Sequence, residues 1–347
     1  MNSKILFLCL NAFILAVGNC GGPLLTRLYF IHGGKRIWFS SWLQTAAWPI
    51  ILIPLLISYI RRRRKSASAT LFLMKPQFLA AAAGIGTLTG ISNYLYSAGF
   101  ARLPVSTSSL ILASQLAFMS VFAFFLVKQK FTAFKVNAVV LLTLGSVILG
   151  CNMSNDRPEG ESNKDYAVGF VMMIGTAVVF SLALPLMELT YKKLGKMALT
   201  YTMVLEMELM VSFVATAFCT VGMVINNDFQ AIAGEAKAYA LGETIYYVVI
   251  VWSAIFFEGF FLGSAGVIFY SSSLLTGVIF TSLLPVTELL AVIFYHERFH
   301  AEKGISLFLS LWGFISYFYG EIKHKQNHSL DEENNMDQLA LPNTDVP

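Results

Sequence analysis

The chain has 347 residues, 56% of them hydrophobic and only 13% charged, with a formal net charge of +4. A soluble domain carries roughly 25% charged residues; here the charges crowd between apolar runs of about 20 residues, the length a bilayer core demands. That excludes a soluble globular protein. A nucleic-acid reading of the basic run Arg61–Lys65 also falls away, because the run ends an apolar segment, where such clusters anchor topology.

The hydropathy pattern predicts ten membrane helices, over 4–31, 36–60, 76–101, 103–127, 133–151, 167–190, 199–225, 243–264, 267–295 and 303–320. The first follows Lys4 and has no small-residue cleavage pattern. Its apolar character resumes through Pro23-Leu24-Leu25 to Ile31, so it reads as a retained span rather than a signal peptide. Within it, Asn19 and Gly21-Gly22-Pro23 mark either an unwound segment of the kind that lines transporter sites or a simple kink.

Span two carries Gln44 and Trp48, four residues apart and so on one face of a continuous helix, with Pro49 next. Span three carries Asn93 and Tyr94 far from any loop, and span four carries Gln115 with Ser109 and Ser114 nearby. Amides in a bilayer either face a cavity or join helices. Five glutamates also fall in apolar runs. Glu188 precedes Lys192 by four residues, the spacing of an ordinary helical ion pair. Glu206 and Glu208 are two apart and point to nearly opposite sides of span seven, so both cannot face one cavity. Glu206 shares its face with Met203 and Met210, adaptable neighbours for a planar ligand. Buried there, it is the first choice for a carboxylate that binds and releases a proton. Glu258 sits among Phe256, Phe257, Phe260 and Phe261, and Glu288 follows Pro285 by about one turn.

The four cysteines lie in or at the ends of spans, without metal-ligand or disulfide-framework spacing. Asn152-Met153-Ser154 is a formal glycosylation sequon beside a span end. From about Gln326 the chain has no apolar period and reads as a disordered tail. Most of the 24 Lys and Arg residues fall in loops that are cytoplasmic if both termini are cytoplasmic.

Residues 271–320 repeat residues 103–152 without a gap, at an offset of 168. Ile111 falls on Ile279, Ser114 on Ser282, Ala123 on Ala291, Phe131 on Phe299 and Lys135 on Lys303. Spans four and five thus map onto nine and ten. The unit is five helices, an odd number, so its two copies insert with opposite orientation. The basic hinge Lys128–Lys135 is cytoplasmic and its counterpart His296–Lys303 is outside. The expected organisation is a first repeat over 1–151, an extracellular linker over 152–166, a second repeat over 167–321 and a cytoplasmic tail over 322–347. Inverted pairs of this kind supply the inward-open and outward-open states of secondary transporters. The copies differ where Gln115 meets Leu283 and Ser120 meets Glu288, and there symmetry should yield to substrate chemistry.

Longer motifs carry a resemblance. They are Gly21-Gly22-Pro23-Leu24-Leu25-Thr26-Arg27-Leu28-Tyr29-Phe30, Gly33-Gly34-Lys35-Arg36-Ile37-Trp38, and Leu103-Pro104-Val105-Ser106-Thr107-Ser108-Ser109-Leu110. Leu184-Pro185-Leu186, Thr190-Tyr191-Lys192-Lys193, Leu284-Pro285-Val286-Thr287-Glu288 and Ala301-Glu302-Lys303-Gly304-Ile305-Ser306 belong with them, as does Ser316-Tyr317-Phe318-Tyr319-Gly320-Glu321. Over residues 5–321 the chain resembles the plant purine permease family. That resemblance implies the drug/metabolite transporter fold and proton-coupled uptake of adenine-like bases, with cytokinins and other purine derivatives as further substrates. It also implies an acidic residue at the position of Glu206.

A neutral purine has a flat aromatic face and an edge of alternating donors and acceptors. Asn or Gln can pair with that edge, and stacking contributes roughly 1–3 kcal/mol per base. The expected substrate-binding residues are therefore Gln44, Trp48, Asn93, Tyr94, Gln115, Glu206 and Glu258, with Glu206 carrying the coupled proton. No metal or cofactor is expected, and the partners are substrate, protons and lipid. A plasma-membrane monomer is the expected state. A nucleotide-sugar or phosphorylated substrate would call for a mid-span Lys or Arg, and none stands out. A carrier of another neutral or weakly basic heterocycle and a receptor for purine-like ligands are the competing readings. An enzyme is not indicated, since all five histidines (His32, His296, His300, His324 and His328) lie in loops or the tail.

Overall fold

The computed structural model describes residues 3–65, 70–103, 108, 111–112, 114–129, 131–151, 163–195, 199–295 and 301–340. Among these the chain is all helix. The helices are α1 Ser3–Ile31, α2 Ile37–Leu43, α3 Pro49–Lys65, α4 Pro76–Phe100, α5 Gln115–Val127, α6 Ala133–Cys151 and α7 Asn163–Gly195. They continue as α8 Tyr201–Ile225, α9 Asp228–Ala238, α10 Glu243–Tyr270, α11 Ser273–Ser282, α12 Leu284–Tyr295 and α13 Ala301–Ala340.

Five helices are long and apolar enough to cross a membrane: Lys4–Ile31, Pro76–Phe100, Ala167–Leu194, Tyr201–Ile225 and Glu243–Tyr270. Shorter apolar helices run over Gln115–Val127, Ala133–Gly145, Ser273–Thr287 and Gly304–Gly320. Large apolar side chains such as Phe13, Phe125, Val171, Ile225 and Phe308 point outward, as a lipid-facing surface requires. The chain is a membrane protein.

Local chemistry sets the helix ends. Pro76 opens α4 at the first helical position, where a missing N–H costs nothing, after an extended Lys75. Ser272 caps α11, its hydroxyl accepting from the Leu275 N–H at 3.2 Å. Lys128 closes α5 in the left-handed region at φ 53°.

Four boundaries differ from the hydropathy pattern. Span two is not one helix: it stops at Leu43, turns through Gln44–Trp48 and restarts at Pro49. Proline cannot continue the preceding helix but suits the first turn of the next. Span eight runs on to Tyr270, past Gly263 and Gly266, and span nine is split at Leu283. Those glycines are contact points. A Cβ on Gly263 would sit 2.5 Å from the Leu15 N, and one on Gly18 would overlap the Phe256 carbonyl and Phe260 amide. For the same reason span one does not unwind at Gly21-Gly22-Pro23. α1 stays helical throughout, with α10 packed along it. Finally, α13 extends to Ala340, in a segment with no Pro or Gly after Gly320 to stop it.

The helices meet in defined pairs. α1 lies on α10, α4 on α7 and α8, α6 on α13, and α5 on α7 and α11, while α2 and α3 both contact α8. The largest apolar core joins Met119, Phe180, Met187, Met207 and Phe261 near the centre of the bundle.

Candidate functional site

Where α1, α4, α5, α7 and α10 converge, a cavity remains in the bundle. It leaves about 130 Å³ to the centres of water-sized molecules, several times what one water requires. A flat, two-ring ligand is a reasonable occupant on size.

One wall is polar. Gln44, in the turn between α2 and α3, donates its amide to the Asn93 carbonyl at 3.3 Å and to Ser97 Oγ at 3.0 Å. Asn93 lines the same wall, its side-chain nitrogen buried and unpartnered. Gln115, at the first turn of α5, adds a third amide; its backbone carbonyl is held by the Ser181 hydroxyl at 2.8 Å. Asn19 on α1 donates to the Phe280 carbonyl at 3.2 Å and completes the set. The opposite wall is aromatic. Phe180 and Phe260 stack with centroids 5.9 Å apart and planes 26° from parallel, and Phe280 meets Phe180 edge-on at 6.1 Å. Phe257 and Phe261 extend that surface, and Tyr96 and Phe100 line the cavity from the α4 face that carries Asn93.

The expected binding residues divide. Gln44, Asn93 and Gln115 come together in the cavity. Trp48 does not share a face with Gln44, because the turn at 44–48 replaces the helix that would have aligned them. It packs edge-on against Phe213 at 5.3 Å. Tyr94 lies about 100° around α4 from Asn93 and stacks on Trp38 at 4.0 Å, lining a separate outer pocket with Arg36 and Glu235. Glu206 is not among the lining residues. Its carboxylate accepts the Leu73 N–H at 2.8 and 2.9 Å and the Met74 N–H at 2.9 Å, tying the segment before α4 to α8. Glu258 is buried just behind Phe257 and Phe261 and meets the Ser212 hydroxyl at 3.4 Å.

Other residues fall into place around these. Glu188 pairs with Lys192 at 3.1 Å and also accepts from the Ser273 amide at 2.7 Å and the Ser273 hydroxyl at 2.6 Å. A carboxylate thus sits at the N-terminus of α11, where the helix dipole favours it. The side chain of Glu288 lies outside the described residues, as do Ser109, the sequon Asn152–Ser154 and most of the His296–Lys303 hinge. One cation stands where none was expected: Arg27 lines the cavity. Its place near the end of an apolar run hid it. The aromatic wall was also missed, although Ser92, Asn93, Tyr96 and Phe100 follow a helical face spacing, as do Phe257, Phe260 and Phe261.

Residues 6–327 match the family described as purine nucleobase transmembrane transport. The chain belongs to the purine permease family. Its relatives from Arabidopsis thaliana include "Purine permease 3", 53% identical over 338 residues and covering 96% of each chain. "Purine permease 2" is 48% identical over 360 residues, with 99% of each covered. "Purine permease 21" is 34% identical over 335 residues, covering 96% of this chain and 84% of that one. This permease is therefore a purine nucleobase transporter rather than an enzyme. A solved crystal structure matches its fold with a TM-score of 0.61 at 15% identity, over 89% of this chain and 96% of that one.

Proposed function

We propose that this permease imports adenine-like purines, and purine derivatives such as cytokinins, by proton-coupled alternating access across the plasma membrane. Both termini are cytoplasmic and the working unit is a monomer in this reading. The observation that carries it is the central cavity, with Gln44, Asn93 and Gln115 on one side and the Phe180–Phe260 stack on the other. A purine lies against an aromatic ring face while its edge finds amide donors and acceptors. Arg27, which can only donate, suits an acceptor nitrogen or oxygen on that edge and disfavours a positively charged substrate.

The packing supports two inverted five-helix repeats. Exchange of the halves turns the α1–α10 pair into the α7–α4 pair, and leaves α6–α13, α5 with α11, and α2–α3 with α8 each mapped onto itself. Helix ends also recur at the offset of 168: α5 and α12 stop at Val127 and Tyr295, and α6 and α13 start at Ala133 and Ala301. The turns at Gln44–Trp48 and Leu283 are natural hinges for opening one side and then the other. Proton coupling needs a buried acid that changes charge during the cycle; Glu206 is one candidate, and the Glu208–Glu258 region another.

The test is adenine uptake in cells lacking their own purine carrier, measured across external pH with and without an uncoupler. Uptake should rise with external acidity and collapse to equilibration when the gradient is dissipated. Uptake indifferent to the gradient would sink the coupled reading and leave facilitated diffusion through the same cavity.

A further inference from the structure

We propose that Glu208 on α8 and Glu258 on α10, with Ser212 between them, form the site that takes up and releases the transported proton. This rests on the proton-coupled reading given above. Ser212 Oγ lies 3.3 Å from Oε1 of Glu208 and 3.4 Å from Oε1 of Glu258. A hydroxyl has one proton to give. It can donate to one of these oxygens, and toward the other it can only accept. That second contact is a hydrogen bond only when the carboxyl itself carries a proton.

The surroundings point the same way. Glu208 and Glu258 are 1% and 2% exposed, and the Oε2 atom of each is buried with no partner. Among the described residues, neither carboxylate has a Lys, Arg or His in ion-pair range. The other titratable groups within electrostatic reach are Tyr191 on α7 and Tyr201 on the same helix as Glu208, and neither brings positive charge. The Tyr191 hydroxyl is itself buried without a partner. Two ionised carboxylates buried around one hydroxyl repel each other and lose most of their solvation. One bound proton relieves both costs, and each unpartnered oxygen is an atom on which it can reside. Glu206 is the contrast: backbone N–H groups already satisfy its charged form.

A polar track joins the pair to the cavity. Thr216, one turn beyond Ser212, donates to the Ser212 carbonyl at 2.7 Å. Its hydroxyl also meets the Thr45 carbonyl at 2.9 Å and Thr45 Oγ1 at 3.0 Å. Thr45 follows Gln44 in the turn that sets the cavity's polar wall. The proton site therefore lies one turn of α8 from Thr216, which packs directly on the segment holding a substrate contact.

The experiment uses purified full-length protein in proteoliposomes and two readouts with labelled adenine. One is accumulation under an imposed pH gradient. The other is exchange of external for internal adenine at equal pH, which needs no net proton movement. Glu208→Gln and Glu258→Gln should each lose gradient-driven accumulation yet still exchange. Accumulation that survives in both Glu208→Gln and Glu258→Gln overturns the proposal, and so does loss confined to Glu206→Gln. Wild-type protein that accumulates no adenine under the gradient overturns the coupled reading itself. If a glutamine variant loses exchange as well, Ser212→Ala decides: a displaced pH midpoint of uptake supports the site, and an unmoved one overturns it.

Discussion

Gln44 reaches out of the turn between α2 and α3 to donate to the backbone carbonyl of Asn93 at 3.3 Å, while the Asn93 side-chain nitrogen stays unpartnered in the cavity wall. The two amides thus have different duties. Gln44 is committed partly to holding α4, and Asn93 has a donor to spare. We expect Asn93→Ala to raise the KM for adenine about tenfold, the size of one lost hydrogen bond with some unrelieved desolvation. Thermal stability should hardly change. Gln44→Ala should lower both affinity and stability. Initial uptake rates, with melting of the purified protein, separate the two; an unchanged KM in Asn93→Ala would remove that residue from the site.

The ring stack makes a sharper contrast. Phe260→Ala removes half of the Phe180–Phe260 pair, and a lost base-stacking surface is worth roughly 1–3 kcal/mol. We expect the KM to rise between fivefold and a hundredfold, in line with that range. Trp48→Ala should leave the KM near wild type and cost stability instead, since its ring packs on Phe213 away from the cavity.

At Glu188 the magnitudes decide which contact matters. The Lys192 side chain is 54% exposed, and a pair so open to solvent is worth about 0–1 kcal/mol. The buried bonds to Ser273 involve a charged acceptor and are worth about 1.5–3 kcal/mol each. Lys192→Ala should therefore melt close to wild type, whereas Glu188→Ala should melt distinctly lower. Equal melting temperatures would show that the α11 cap contributes nothing.

Glu206 holds a loop. Its carboxylate gathers the N–H groups of Leu73 and Met74, and glutamine would offer one oxygen and turn an NH₂ toward a donor. Glu206→Gln should speed amide hydrogen exchange at Leu73 and Met74, with little change on α8 around Ser212. Mass spectrometry of the 70–80 segment reads this directly. Unchanged protection there would refute the tether.

Much of this was legible before any coordinates. Apolar run lengths located the five helices that are long and apolar enough to cross a membrane. The three amides of the cavity were visible as costly groups in apolar segments. What stayed hidden depends on contacts between distant segments. Gly263 and Gly266 are contact points against α1, and the helix runs past both to Tyr270, beyond the end expected for span eight. Pro49 starts a new helix, which takes Trp48 off the face it would share with Gln44 in a continuous one. Glu208 and Glu258 are 50 positions apart, and the Ser212 that joins them carries no motif. Only the α8–α10 crossing makes that cluster.

The close contact of α1 with α10, made where glycines leave no side chain between the backbones, has a mechanical consequence. A helix from the first half of the chain is seated against one from the second, and α4 is likewise seated on α7. Any piece of this bundle that moves as one rigid body is then a composite, drawing helices from both halves of the chain. Neither half expressed alone would hold a complete moving part. The two expressed together, as separate polypeptides, would have every contact needed to assemble one.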